Sequence, residues 1–203
     1  MSKEIEDEKP IEMKAILLGN SGVGKTNLIN TCVGLKFEEG NNPTTSGSFA
    51  QKKILIGNKN ITINLWDTAG QEVYKSITKI FLKKSEIVVF VYDITDKQSF
   101  KDLEDWIDLC KNMIDNDYVC GIVGNKADLY LNEQVKEEEG KKYAESKSMQ
   151  FQLVSAKQNP TSFVNLLTDL VIEHKGFSKE EAKDVVILKK ENTIVNKNQK
   201  CKC

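Results

Sequence analysis

A lysine and a hydroxyl that close a glycine-rich octet are where chemistry first shows in this chain. Gly19-Asn20-Ser21-Gly22-Val23-Gly24-Lys25-Thr26 fits the pattern G-x-x-x-x-G-K-[ST]. Polyphosphate is densely anionic, and a loop that wraps it needs backbone N–H groups pointing inward. Glycines permit that curvature and close approach. A helix starting at the lysine would add its positive dipole end. Lys25 is placed to reach β- and γ-phosphates, and the Thr26 hydroxyl to ligate a bridging Mg2+. The bland alternative is a glycine-rich turn followed by a chance Lys-Thr. A second cluster, Asp67-Thr68-Ala69-Gly70-Gln71-Glu72, follows an apolar run. A carboxylate there can hold Mg2+, usually through a water, and Gly70 leaves its N–H open to a γ-phosphate. Gln71, neutral and both donor and acceptor, suits the orientation of a water for in-line attack.

These residues need a scaffold, and the apolar pattern supplies one. Strand candidates are Lys14–Gly19, Phe49–Ile56, Ile61–Asp67, Ile87–Asp93, Val119–Asn125 and Gln150–Ser155. Gly57-Asn58-Lys59-Asn60 reads as a hairpin turn, so the strands it joins pair antiparallel. Helix-length segments separate the others, which calls for crossovers and a parallel sheet. Phe100, Leu103, Trp106, Ile107, Cys110, Met113 and Ile114 give one helix from about Lys97 to Ile114 its apolar face. A second begins near Thr161, after Pro160, with Phe163, Val164, Leu167, Leu170 and Val171 turned inward. Ser178-Lys179-Glu180-Glu181 is a capping-box pattern for one more short helix. The expected fold is an open α/β sheet of six strands, five of them parallel, with helices on both faces. Ligands of such sheets bind beyond the carboxyl ends of the strands, where the chemistry-bearing loops fall.

Composition narrows the function. The chain has 203 residues, 39% apolar and 29% charged, enough for one domain with a core. A net charge of −1 argues against general nucleic-acid binding. Every one of the 29 basic residues is lysine, so no arginine finger can come from this chain. Cys32, Cys110, Cys120, Cys201 and Cys203 form an odd set without a regular framework, as expected in a reducing cytosol. The charged start, Met1 to Glu12, lacks a signal-peptide core, and no apolar run approaches the ~18 residues of a spanning helix.

At this point the chain resembles the Ras superfamily of small GTPases, from Met13 to about Lys175. The resemblance implies a P-loop NTPase G domain, with GTP/GDP and Mg2+ as cofactors. Asn125-Lys126-Ala127-Asp128 is similar to the family's N-K-x-D. By that match, Asp128 accepts two hydrogen bonds from guanine N1–H and the 2-amino group, which adenine cannot offer. Asn125 holds the loop and faces N7, and the Lys126 stem covers the base. Ser155-Ala156-Lys157 matches S-A-K, whose alanine amide meets guanine O6. Ser21, Gly22, Val23, Gly24, Lys25, Thr26 and Asn27 line the nucleotide from the phosphate loop. Phe37-Glu38-Glu39-Gly40-Asn41-Asn42-Pro43-Thr44 aligns with the first switch. Phe37 then stacks edge-on against guanine, with an ordinary apolar loop anchor as the alternative. Thr44 ligates Mg2+ and gives its N–H to the γ-phosphate, with Thr45 as a rival. The implied catalytic set is Gln71, Lys25 and Thr44, and the metal set Thr26, Thr44 and Asp67.

Within the superfamily, Val91-Tyr92-Asp93-Ile94-Thr95-Asp96-Lys97-Gln98-Ser99-Phe100 looks like the Rab branch, as do Ser21 and the Cys201-Lys202-Cys203 terminus. That likeness implies geranylgeranylation of Cys201 and Cys203. It also implies an escort protein, a GDP-dissociation inhibitor and a geranylgeranyl transferase as partners, besides effectors, an exchange factor and a GTPase-activating protein. The implied setting is the cytoplasmic face of an endomembrane, in vesicle-mediated traffic. Thr45-Ser46-Gly47-Ser48-Phe49 and Val73 to Ser85 depart from the Rab pattern on surfaces that meet partners. The chain then divides into an N-terminal arm at 1–12, expected to be mobile, and a G domain at 13–175. A short helical extension at 176–190 and a flexible prenylation tail at 191–203 complete it. The rivals are a nucleotide-regulated binding module that hardly hydrolyses, a P-loop kinase, and a Ras-like signalling GTPase outside traffic. Gln71 speaks against the first, and the missing arginines and N-K-A-D against the second.

Overall fold

A computed structural model describes residues 9–40, 48–67, 81–178 and 180–188. Strands β1 (Ile11–Leu18), β2 (Ser48–Ile56), β3 (Lys59–Asp67), β4 (Ile87–Asp93), β5 (Val119–Asn125), β6 (Gln150–Leu153) and β7 (Val185–Ile187) form one sheet. Its order is β6-β5-β4-β1-β3-β2-β7. The helices are α1 (Lys25–Cys32), α2 (Lys97–Lys101), α3 (Leu103–Met113), α4 (Glu137–Ser146) and α5 (Thr161–Lys175). The five strands expected to be parallel pair that way, and β2 runs antiparallel to β3 across a two-residue turn at Gly57-Asn58.

The sheet is covered on both sides, so its central strands are apolar on both. Along β1, Ala15 and Leu17 face one core and Ile16 and Leu18 the other, the two-residue alternation of a strand. The first core takes Leu28, Ile29 and Cys32 of α1 and Phe163, Leu167, Leu170 and Val171 of α5. The second takes Leu103, Ile107 and Cys110 of α3 and Ala144 of α4. All of β4 is buried, which fixes its C-terminal Asp93 at the middle of the sheet's functional edge.

The structure revises the sequence reading in four places. The helix expected over Lys97–Ile114 is interrupted at Asp102, where α2 ends and α3 begins. Helix α4 had no apolar stripe to announce it, because its inner side is Gly140 and Ala144. There the Tyr92 side chain and Phe151 fill the space that a Cβ on Gly140 would need. The N-terminal arm is shorter than 1–12, since Ile11 and Glu12 already pair with Ile61 and Thr62 of β3. Among its described residues, the extension at 176–190 forms no α-helix. Ser178 and Glu181 do make the capping-box bonds, Ser178 N–H and Oγ to Glu181 Oε2 at 2.9 Å each and Glu181 N–H to Ser178 Oγ at 3.3 Å. What they open is a single 3-10 turn, Glu181–Lys183, followed by β7, antiparallel to the edge of β2 and a seventh strand beyond the six expected. Val185-Val186-Ile187 is β-branched throughout and finds more to pair with on an open sheet edge than in a second helical turn.

Candidate nucleotide site

The loop from Gly19 to Gly24 leaves β1 and runs straight into α1. Gly24 sits at the helix N-terminus with φ 96°, and no side chain caps that end. A Cβ on Gly24 would strike the Asn125 amide, and one on Gly19 the Val91 carbonyl, so both positions need glycine for space as well as for φ. Lys25 is 5% exposed, and its ammonium donates to the carbonyls of Gly19 at 2.6 Å and Asn20 at 2.8 Å. Its charge is thereby folded back along the concave side of its own loop. Thr26 donates its hydroxyl to Asp67 Oδ2 at 2.7 Å, so the end of α1 and the end of β3 share one oxygen cluster. Asp67 is 1% exposed. Asn27, expected at the nucleotide, grips a neighbouring loop: Nδ2 donates to Glu38 O at 3.0 Å, and Glu38 N–H to Oδ1 at 3.2 Å.

Next to this loop lie the ends of β5 and β6. Asn125 is 1% exposed and reaches two loops at once. Its Nδ2 donates to Val23 O of the phosphate loop at 2.8 Å, and its Oδ1 accepts from Ala156 N–H at 3.3 Å. Ser155 Oγ donates to Asp128 Oδ1 at 2.6 Å and accepts from Gln158 N–H at 2.9 Å, which aims the carboxylate from behind. Lys126 holds a left-handed backbone (φ 66°), a conformation costing a lysine ~1 kcal/mol or more. Two contacts secure it: its ammonium meets Asp93 Oδ2 at 2.6 Å, and the next residue, Ala127, donates its N–H to Val154 O at 3.1 Å. Lys157 pairs with Glu39 and lies 5.9 Å above the Phe37 ring. The hydrogen bond to Lys157 lowers the Glu39 carboxyl's pKa and raises that of the lysine. Phe37 itself is partly buried against the α1–α5 core, so it anchors its loop with Lys157 over its ring.

Thus an uncapped helix end, a concave glycine loop, a Thr–Asp oxygen pair and a backed carboxylate stand along one edge of the sheet. A model of the Ras family matches residues 14–173, from β1 to α5. The chain belongs to the Ras family. It is similar to the Ras-related protein Rab-11C of Dictyostelium discoideum, 37% identical over 168 residues, 81% of this chain and 75% of that one. RABA6b of Arabidopsis thaliana is 37% identical over 160 residues, 78% of this chain and 70% of its own. Human Rab-21 is 39% identical over 146 residues, 72% and 65% respectively. This Ras-family chain is therefore a Rab-like small GTPase, a guanine-nucleotide-binding protein and GTP hydrolase by kinship.

Of the residues singled out from sequence, Ser21 to Thr26, Asp67, Asn125, Lys126, Asp128 and Ser155 to Lys157 converge on this edge. Thr44, Gly70, Gln71, Cys201 and Cys203 lie outside the described residues, as does the rival Thr45. Sequence reasoning missed Asp93 as the partner of Lys126 and Glu39 as the partner of Lys157. It also missed Asn20, inside the phosphate loop at a position its pattern leaves open. Asn20 is held by Asp102 and by Trp106, a residue that the sequence pattern marks only as part of an apolar helix face. The indole N–H was the available signal, since a buried tryptophan ring usually finds it an acceptor.

Proposed function

We propose that this chain is a Rab-type molecular switch that binds GTP and GDP with Mg2+, hydrolyses GTP slowly, and acts in vesicle-mediated membrane traffic. The observation that carries the reading is Asn125. One buried amide ties the phosphate loop to the base-side loops, so a single ligand with both a polyphosphate and a base matches the spacing. The donor set supports Mg2+: Thr26 Oγ1 and Asp67 Oδ2 are hard oxygens already 2.7 Å apart, and the Cβ position of Gly22 in the adjoining loop is open. Bound there, the ion would neutralise charge on the β- and γ-phosphates.

The chain's own residues divide the remaining work. Asp128, backed by Ser155, accepts from the guanine edge, with the Ala156 amide nearby for O6 and the Lys126 and Lys157 stems and Phe37 around the base. Lys25 and the loop amides from Ser21 to Asn27 hold the phosphates. Thr44 and the Gly70 N–H close on the γ-phosphate in the GTP form, and Gln71 orients the attacking water. With lysine as its only strong base, the chain supplies no arginine in cis, so unaided turnover is on the order of 10⁻⁴ to 10⁻³ per second. An activating protein that inserts an arginine raises it roughly 10³- to 10⁵-fold.

Geranylgeranyl groups on Cys201 and Cys203, added through an escort protein and a geranylgeranyl transferase, attach the switch to the cytoplasmic face of an endomembrane. Two chains give stable attachment where one gives only marginal binding. A GDP-dissociation inhibitor, an exchange factor and effectors complete the cycle. The test is single-turnover hydrolysis of γ-labelled GTP with ATP as the competitor, for wild type and Gln71→Leu. Slow phosphate release abolished in the variant, at unchanged GTP affinity, is the expected result; equal competition by ATP refutes the guanine assignment.

A further inference from the structure

We propose that Asn20, Asp102 and Trp106 form a brace that sets how firmly the phosphate loop holds its nucleotide. The proposal rests on the nucleotide reading above and adds positioning residues to it. Asn20 Nδ2 donates to Asp102 Oδ2 at 2.6 Å, and Trp106 Nε1 donates to Asn20 Oδ1 at 3.0 Å. The other carboxylate oxygen, Asp102 Oδ1, accepts from Gln98 Nε2 at 2.6 Å. The partners fix the amide's orientation, because an indole N–H can only donate and a carboxylate can only accept. Turning the amide over would set its NH2 against the indole N–H and its oxygen against the carboxylate.

The main chain of the same residue faces the other way. Asn20 O accepts from Lys25 Nζ at 2.8 Å, beside the 2.6 Å bond from Lys25 to Gly19 O. The side chain of Asn20 is therefore pinned to the α2–α3 junction while its carbonyl positions the lysine that meets the phosphates. Rotation of that peptide breaks a charge-assisted bond on each side. Lys25 is nearly fully buried, so its ammonium has little solvent to turn to when the carbonyl moves. Asp102 stands at the junction of α2 and α3, where its carboxylate serves both Gln98 of α2 and the loop. None of the three brace side chains touches the nucleotide in this account; they act through the loop and Lys25.

The chemistry supplies a test by exchange. Asn20→Asp places a carboxylate against the Asp102 carboxylate and should speed nucleotide release. Adding Asp102→Asn restores one amide and one carboxylate in the opposite order, with the indole N–H still facing an acceptor. The full chain is loaded with a fluorescent GDP analogue in Mg2+, and release into excess GDP is followed. Asn20→Asp is expected to release ~10-fold faster or more, and the double variant to return within ~3-fold of wild type. Trp106→Phe keeps the ring and loses only the donor; it should release ~2- to 5-fold faster with an unchanged melting temperature. If Asn20→Asp does not fold, recovery of folding and slow release in the double variant carries the same information. A double variant as fast as the single one, or Trp106→Phe indistinguishable from wild type, overturns the brace. A wild-type chain that holds no GDP removes the nucleotide reading, and the brace's function with it.

Discussion

The two ends of this sheet are built on different terms. At the carboxyl end, buried polar side chains spend their hydrogen bonds on loop backbone: Asn125 on Val23 and Ala156 of two distant loops, Lys25 on Gly19 and Asn20 of its own. At the opposite end, polar side chains are more exposed and pair mainly with each other. Lys59 meets Glu181 at 3.3 Å, and Glu86 gathers Lys175 at 2.8 Å and His174 at 3.4 Å. Exposed pairs of long side chains are screened and contribute little. Buried side chain–backbone bonds contribute modestly when made and cost heavily when one partner is lost. One end is thus rigid in a way that single substitutions can break, and the other is tolerant.

Substitutions should sort themselves along that divide. The largest effect belongs to Asp128→Asn, which should weaken GTP binding by roughly 3 to 6 kcal/mol through loss of a charge-assisted pair of bonds. Xanthine nucleotides, with an acceptor where guanine has a donor, should gain; competition titration reads both. Asn125→Ala should cost about 2 to 4 kcal/mol of folding stability, because it strands the Val23 carbonyl and the Ala156 amide in the interior. Denaturant unfolding with no shift would contradict the contrast drawn between the two ends. Gly140→Ala is a probe of packing just beneath the site. Its Cβ would come within 2.5 Å of the Tyr92 hydroxyl and 2.8 Å of the Phe151 ring. Even after the helix gain of alanine, a net loss of about 1 to 2 kcal/mol is expected, and Tyr92→Phe should recover part of it.

At the tolerant end, Lys59→Ala should leave the melting temperature within error, since both members of its pair are well exposed. The smallest effect is a negative one. Burial pushes the thiols of Cys32 and Cys120 up to about 12, and that of Cys110 upward as well. Iodoacetamide at neutral pH should therefore leave these three unmodified in the native protein, as peptide mapping would show. Labelling of Cys110 or Cys120 at native temperature would mean that α3 opens away from β5.

Much of the carboxyl end was legible because its signals are local. Strands β4 and β5 begin and end where their apolar runs do, and each motif sits within a few residues of such an end. The glycine octet announces itself since no other residue type fits its backbone. What stayed hidden is what depends on distant partners. Helix α4 buries glycine and alanine, which no hydrophobic pattern marks. The roles of Asp102 and Trp106 toward Asn20 appear only when α3 is laid against the phosphate loop. Val185–Ile187 became a strand because the edge of β2 was open to it, a fact about another part of the chain.

That last strand has a mechanical meaning. Its register, Val185 on Ile56 and Ile187 on Ile54, turns the chain back along β2, so that it leaves the sheet heading from the hairpin toward the nucleotide end. A chain released at Gly176 would trail away as a long leash. Tacked down through Ile187, it loses the ~35 to 40 Å that eleven extended residues can span. If the proposed lipids sit at Cys201 and Cys203, the globular body would ride closer to the bilayer by up to that length. Its point of suspension would then move from the end of α5 to the flank of β2.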